Sequence, residues 1–121
     1  MCFEYFVFLS TKFSFCMSKV ILITGGSSGI GKSIGEYLTE KNFRVYGTSR
    51  NPENYKDSKF PILTLDVKDN ATILMAVNEV INIEGRLDIL INNAGAGITG
   101  PTEELPEEEI KANFDTNFFG P

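Results

Sequence analysis

The chain has 121 residues, 42% of them apolar, the size and composition of one small globular domain. A formal charge of −5 and an isoelectric point near 4.7 leave no basic patch to neutralise phosphates, which argues against a nucleic-acid partner. Two cysteines cannot build a disulfide framework or a four-ligand zinc site, and the lack of histidine excludes a His-based triad or a His-ligated metal within these residues.

The first residues, MCFEYFVFLSTKFSFCM, are aromatic-rich but interrupted by Glu4 and Lys12. They fit a secretory signal poorly, since they lack a basic start and an apolar core of about 7–15 residues. Residues 1–17 are therefore read as a leader outside the domain. An extra packed element or a targeting segment are the alternatives. No stretch of the chain reaches the roughly 20 apolar residues that a membrane span needs, and a reducing cytoplasm is the expected compartment.

From Lys19 onward, short β-branched runs alternate with helix-period stretches. Val20-Ile21-Leu22-Ile23 reads as a strand buried on both faces. Gly25 to Gly31 follows as a glycine-rich turn, and Ile30, Ile34 and Leu38 then recur at four-residue spacing to give one apolar helical face. Arg44 to Thr48 is a second strand and Phe60 to Leu65 a third. Residues 69–84 carry Ile73, Ala76, Val77, Val80 and Ile81 at helical spacing, punctuated by Gly85. Leu87 to Ile91 is a fourth strand, broken by Asn92-Asn93-Ala94-Gly95. Pro106, placed at a first helical position with glutamates behind it, starts a further helix with a solvated acidic beginning.

This alternation predicts a doubly wound parallel α/β sheet of the Rossmann type, incomplete, with its first four strands and their helices. Residues 18–121 are expected to be the N-terminal part of such a domain, ending before the sheet is closed. A half-built sheet leaves an unpaired edge and an uncovered apolar face, so marginal stability is expected.

The segment Thr24-Gly25-Gly26-Ser27-Ser28-Gly29-Ile30-Gly31 sits between a buried strand and an amphipathic helix. In that context Gly25 permits the tight turn, Gly29 lets the backbone approach a pyrophosphate, and Gly31 allows close packing of the helix. Unpaired N–H groups at the helix start face the phosphates, and Ser27 and Ser28 add hydroxyl donors. The spacing Gly25-x3-Gly29-x-Gly31 differs from the GxGxxG of most lactate- or malate-type dehydrogenases.

It resembles the TGxxxGIG motif of the short-chain dehydrogenase/reductase family. Asp66-Val67, Asn92-Asn93-Ala94-Gly95 and Asn117 follow in the family's order, so the resemblance covers essentially Lys19 to Gly120. It implies an oxidoreductase exchanging hydride between a nicotinamide cofactor and a small carbonyl or alcohol substrate. It further implies that Gly25, Ser27, Ser28, Gly29, Ile30 and Gly31 hold the pyrophosphate, Asp66 and Val67 the adenine, and Asn93, Ala94 and Gly95 the ribose. The residues alone leave other readings open: Asp66 as the cap of a strand-to-helix turn, and Asn92 to Gly95 as a plain turn. Asn117 matches the family's catalytic asparagine, which helps to hold a water in a proton relay. Ile110, Phe114 and Asn117 fall at i, i+4 and i+7, which predicts that the amide shares the buried apolar stripe, as a satisfied core group or as a functional one.

The end of the second strand reads Thr48-Ser49-Arg50, with no Asp or Glu. A carboxylate there would repel a 2′-phosphate, whereas Ser49 can donate a hydrogen bond and Arg50 can pair with it in a bidentate way. NADP(H) is thus favoured over NAD(H), and no metal is expected. The family's catalytic serine and Tyr-x-x-x-Lys pair would lie beyond the asparagine helix, and no tyrosine occurs after Tyr55. Tyr37-x3-Lys41 and Tyr55-x3-Lys59 stand in the wrong places, so this chain by itself is expected to bind cofactor without turnover. The alternatives are a non-catalytic NADP(H) sensor or scaffold and, against the glycine spacing, a sugar-nucleotide epimerase or dehydratase. Residues Gly97 to Pro101 look similar to those of members acting on lipophilic substrates, and the family usually forms homo-oligomers.

Overall fold

The computed structural model describes residues 18–121, so the reading of residues 1–17 as a leader lies outside the described residues. Four parallel strands form one sheet: β1 (Val20–Ile23), β2 (Arg44–Ser49), β3 (Ile62–Thr64) and β4 (Ile89–Ile91). They lie in the order β3-β2-β1-β4, with Ile21 opposite Val45 on one side and Ile89 on the other. Helices α1 (Gly29–Glu40) and α2 (Asn70–Glu84) are the long crossovers, and α3 (Glu107–Phe114) follows β4. Among the described residues no helix is long and apolar enough to cross a membrane.

The two-residue period of β1 divides the core. Val20 and Leu22 point to one face, where they meet Tyr46, Leu63, Leu65 and the Ala76 and Val80 stripe of α2. Ile21 and Ile23 point to the other, against Val45, Phe60 and the Ile34 and Leu38 side of α1. A strand buried on both faces needs a continuous apolar run, which is why β1 reads VILI. Asp69 caps α2 by accepting the Ala71 N–H at 2.9 Å, and Gly85 (φ 74°) ends it in the left-handed region.

The sequence expectations need several corrections. Ile30 is 75% exposed, so only Ile34 and Leu38 of the expected face pack on the sheet. The first turn of α1 overhangs the strand ends, and the close contact is made by buried Gly35 instead. A Cβ at Gly35 would overlap the Phe60 ring. Ile81 is exposed on the flank of α2. The third and fourth strands are three residues each, shorter than their apolar runs, because pairing stops where Phe60 and Leu87 turn to cover the core. Pro106 precedes α3 as its cap residue (ψ 138°) and is not the first helical position.

The stripe expected on the last helix is not buried. Phe114 and Asn117 are exposed, and only Ile110 is half-buried. The helix widens into an i→i+5 turn over Asp115–Phe119, which takes Asn117 off the 3.6-residue period of Ile110 and Phe114, while Phe114 is exposed already within the regular helix.

Candidate cofactor site

The carboxyl ends of the four strands open into a cleft of about 450 Å³, the place where ligands collect on open α/β sheets. One wall is the turn after β1. Gly25 (φ 64°) and Gly29 (φ 53°) are in the left-handed region that glycine alone enters without strain. A Cβ at Gly29 would point into open space, so its backbone is bare toward solvent. Ser28 caps α1 in an extended conformation, with no side-chain hydrogen bond to the helix. The N–H groups of the first turn therefore stay available, carrying about half a positive charge between them.

Gly26 and Gly31 serve another purpose. A Cβ at Gly26 would lie 2.8 Å from Cα of Gly47, so this turn passes directly over β2. A Cβ at Gly31 would lie 2.5 Å from the Gly25 carbonyl oxygen and would also overlap the Asn93 amide. Gly31 thus packs α1 against its own turn and the loop after β4, where closeness to the sheet was expected.

Thr24 and Asn93 tie these two loops together. The Thr24 hydroxyl accepts the N–H groups of Asn93 at 2.9 Å and Ala94 at 3.0 Å. In return the Asn93 amide donates to the carbonyls of Thr24 at 2.9 Å and Gly25 at 3.1 Å. Across the sheet, the Thr48 hydroxyl accepts the Gly25 N–H at 3.2 Å. Thr24 and Thr48 are both buried, and among the described residues no buried side-chain polar atom lacks a partner. Sequence reading passed over both threonines; a hydroxyl closing each of two apolar strands was the available signal.

Of the expected site residues, Gly25, Ser27, Ser28, Ile30, Ser49, Arg50, Asp66, Val67, Asn93, Ala94 and Gly95 line the cleft. Gly29 and Gly31 shape the turn behind it, and Asn117 lies off its lining. Thr48, Asn51, Tyr55, Lys68, Ala96 and Thr116 also line it and were not singled out for the site. Ser49 Oγ accepts the Asn51 N–H at 3.1 Å, which leaves its own proton to donate. Asp66 Oδ1 accepts the Lys68 N–H at 2.9 Å, so the turn-capping reading of Asp66 holds alongside its place in the cleft.

Neither Tyr-x3-Lys pair sets its lysine beside the phenol of its tyrosine in the cleft. Lys41 lies over the Tyr37 ring at 5.5 Å from its centre, and Lys59 turns to Glu40 at 3.5 Å.

Asn117 is exposed, yet its amide is fully engaged. Its Oδ1 accepts the Ala96 N–H at 2.8 Å, and its Nδ2 donates to the Ala96 carbonyl at 2.7 Å and to Asn113 Oδ1 at 3.0 Å. Away from the cleft, burial and the Glu84 carboxylate push the Tyr46 phenol up to about 12. Bonds from Arg86 and from the Val20 N–H, the latter 2.8 Å long, hold Asp88 below the usual carboxylate range.

Residues 19–121 match the family model described as short chain dehydrogenase. The 3-ketodihydrosphingosine reductase of Bacteroides thetaiotaomicron is 48% identical over 103 residues, covering 84% of this chain and 38% of that protein. The NADPH-dependent 3-dehydrocapnine reductase of Ornithobacterium rhinotracheale is 36% identical over 109 residues, with the same 84% and 38% coverage. A short-chain dehydrogenase structure from Streptomyces avermitilis superposes with a TM-score of 0.77 at 35% identity, over 88% of this chain and 41% of that one. The chain therefore spans less than half the length of the proteins it matches.

Proposed function

The chain belongs to the short-chain dehydrogenase family, and from that premise we propose that it is the cofactor-binding part of an NADP(H)-dependent oxidoreductase interconverting a carbonyl and an alcohol. One observation carries this reading. The uncapped start of α1 and the Ser49-Arg50 strand end line the same cleft, at the two places where a dinucleotide presents its pyrophosphate and its 2′-substituent.

The residues fit that ligand. The first-turn N–H groups, with Ser27 and Ser28 beside them, bind the pyrophosphate against the bare backbone of Gly29. Ser49 donates its hydroxyl proton to the 2′-phosphate. Arg50 makes no ion pair among the described residues, so its guanidinium is available to the same group. Val67 and the unengaged oxygen of Asp66 face the adenine, while Asn93, Ala94 and Gly95 hold the ribose side. When bound, the nicotinamide supplies or accepts the hydride.

The resemblance gives Asn117 a share in the proton relay. Its amide is spent on Ala96 and Asn113, so in this arrangement it holds the loop after β4 and has no N–H left for a water. No tyrosine follows Tyr55, so the proton donor is not supplied by these 121 residues, and they bind cofactor without turnover. The names of both relatives describe reduction at a position 3 oxygen ("3-keto", "3-dehydro"), which favours a 3-oxo compound as substrate.

Equilibrium titration followed by NADPH fluorescence tests the reading. NADPH binds more tightly than NADH, and Arg50→Gln weakens NADPH about tenfold, the value of one charge-assisted hydrogen bond, while leaving NADH within about twofold. Equal weakening of both cofactors contradicts it. Steady NADPH oxidation by this chain with 3-ketodihydrosphingosine or simple ketones contradicts the absence of turnover.

A further inference from the structure

We propose that Asn113 is a positioning residue of the cofactor cleft, holding the amide of Asn117 in one orientation and through it the backbone of Ala96. The consequence for cofactor rests on the function proposed above; the positioning itself does not.

Ala96 lines the cleft but stands beyond the last residue of β4, in a stretch with no strand or helix of its own. Its backbone bonds all come from side chains of the last helix. Asn117 takes both the N–H and the carbonyl, at 2.8 and 2.7 Å. Such a pairing works in one amide orientation only. Turned through 180°, Asn117 would set its NH2 against the Ala96 N–H and its oxygen against the Ala96 carbonyl.

Asn113 locks the same orientation from the other side. It lies four residues earlier, on the same side of the helix, and its Oδ1 accepts the remaining N–H of Asn117 at 3.0 Å. Its own Nδ2 donates to the same Ala96 carbonyl at 2.6 Å. The Ala96 oxygen thus receives two donors from successive turns, and both N–H groups of Asn117 are used. This matters where it occurs, because the widened turn over Asp115–Phe119 includes Asn117. A backbone leaving the regular helix does not fix side-chain direction by itself, so a neighbouring amide has to. The cluster sits at the surface outside both core groups, so its loss leaves the fold in place. Gly95 adds the tight fit on the other side: a Cβ there would come within 3.2 Å of Asn117 Oδ1.

The test uses Asn113→Leu, which keeps the volume and removes both polar atoms, and Asn113→Asp, which keeps the acceptor for Asn117. The readout is hydrogen exchange at the Ala96 N–H, a group that Asn113 does not touch. Exchange there speeds up at least tenfold in N113L and much less in N113D, while the Asn93 N–H and the β1 amides are unchanged. Combining N113L with Asn117→Ala adds little beyond N117A alone, no more than the direct bond from Asn113 to the Ala96 carbonyl contributes. In the same samples N113L weakens NADPH binding several-fold, and N113D restores most of it.

Unchanged Ala96 exchange in N113L, or fully additive effects in the double variant, overturns the proposal whatever the cofactor does. The exchange pattern as expected, with no NADPH binding by the wild-type chain, upholds the positioning and overturns the cofactor reading instead.

Discussion

Replacing Gly31 by alanine sets two effects of opposite sign against each other. In an ordinary helical position the change gains about 1 kcal/mol, because glycine is the poorer helix former. Here the new methyl would lie 2.5 Å from the Gly25 carbonyl oxygen and overlap the Asn93 amide. Neither neighbour is free to yield. Gly25 is held through its N–H by Thr48 and through its carbonyl by Asn93. Overpacking against fixed atoms costs about 1–3 kcal/mol, and pushing Asn93 off Gly25 forfeits a hydrogen bond of about 0.5–1.5 kcal/mol. Subtracting the helical gain leaves a net loss of roughly 1–3 kcal/mol. Urea unfolding followed by circular dichroism reads this as a midpoint lowered by about 1 M at an unchanged slope. A G31A chain as stable as wild type, or more stable, would refute the view that this glycine exists for the contact.

Three further outcomes follow from the same geometry. Thr24→Val keeps the shape of a buried side chain but orphans the N–H groups of Asn93 and Ala94, costing about 2 kcal/mol or more in thermal unfolding; a loss under about 0.5 kcal/mol would show that the two loops do not depend on it. Tyr46 has its folded-state pKa raised, so the stability from its bond to Glu84 is complete below pH 10 and fades as pH climbs toward about 12; Tyr46→Phe should be less stable at neutral pH and lack that alkaline decline, and an identical decline in both would count against the assignment. Asp88 has its folded-state pKa lowered, so its contribution is present above about 3.8 and is lost as pH falls through the folded value. The acid side of the melting-temperature profile of Asp88→Asn should be shallower than that of wild type, and an unchanged slope would move the effect to another carboxylate.

The parts of the fold that were legible are those where one period or one turn settles the structure. VILI reads as a doubly buried strand, and the apolar period from Ile73 to Ile81 with Gly85 behind it marks a helix and its end. What escaped depended on contacts between segments far apart in the chain. Ile30 reads as part of an apolar face, but whether a first turn sits over the sheet or beyond its edge is decided by where the strand stops. Gly26 and Gly47 look unremarkable until their backbones cross. At the last helix, the 3.6-residue period broke down because the chain widens into an i→i+5 turn. Asn117 lies within that turn, exposed and bonded to Ala96. Which residues gather around the cleft was legible because they sit at or just after strand ends, whose order in the chain fixes their neighbours in space.

The proposed NADP(H) site lies in the cleft over the strand ends, with the phosphates at the start of α1 and the 2′-phosphate at Ser49 and Arg50. Backbone amide shifts of the chain titrated separately with NADPH and NADH test it most directly. Both cofactors should move Gly29, Ile30, Gly31 and Ala94, and NADPH alone should strongly move Ser49, Arg50 and Asn51. Shifts gathered instead in the groove lined by Lys56 and Lys59, or the same pattern at Ser49 and Arg50 with both cofactors, would contradict it.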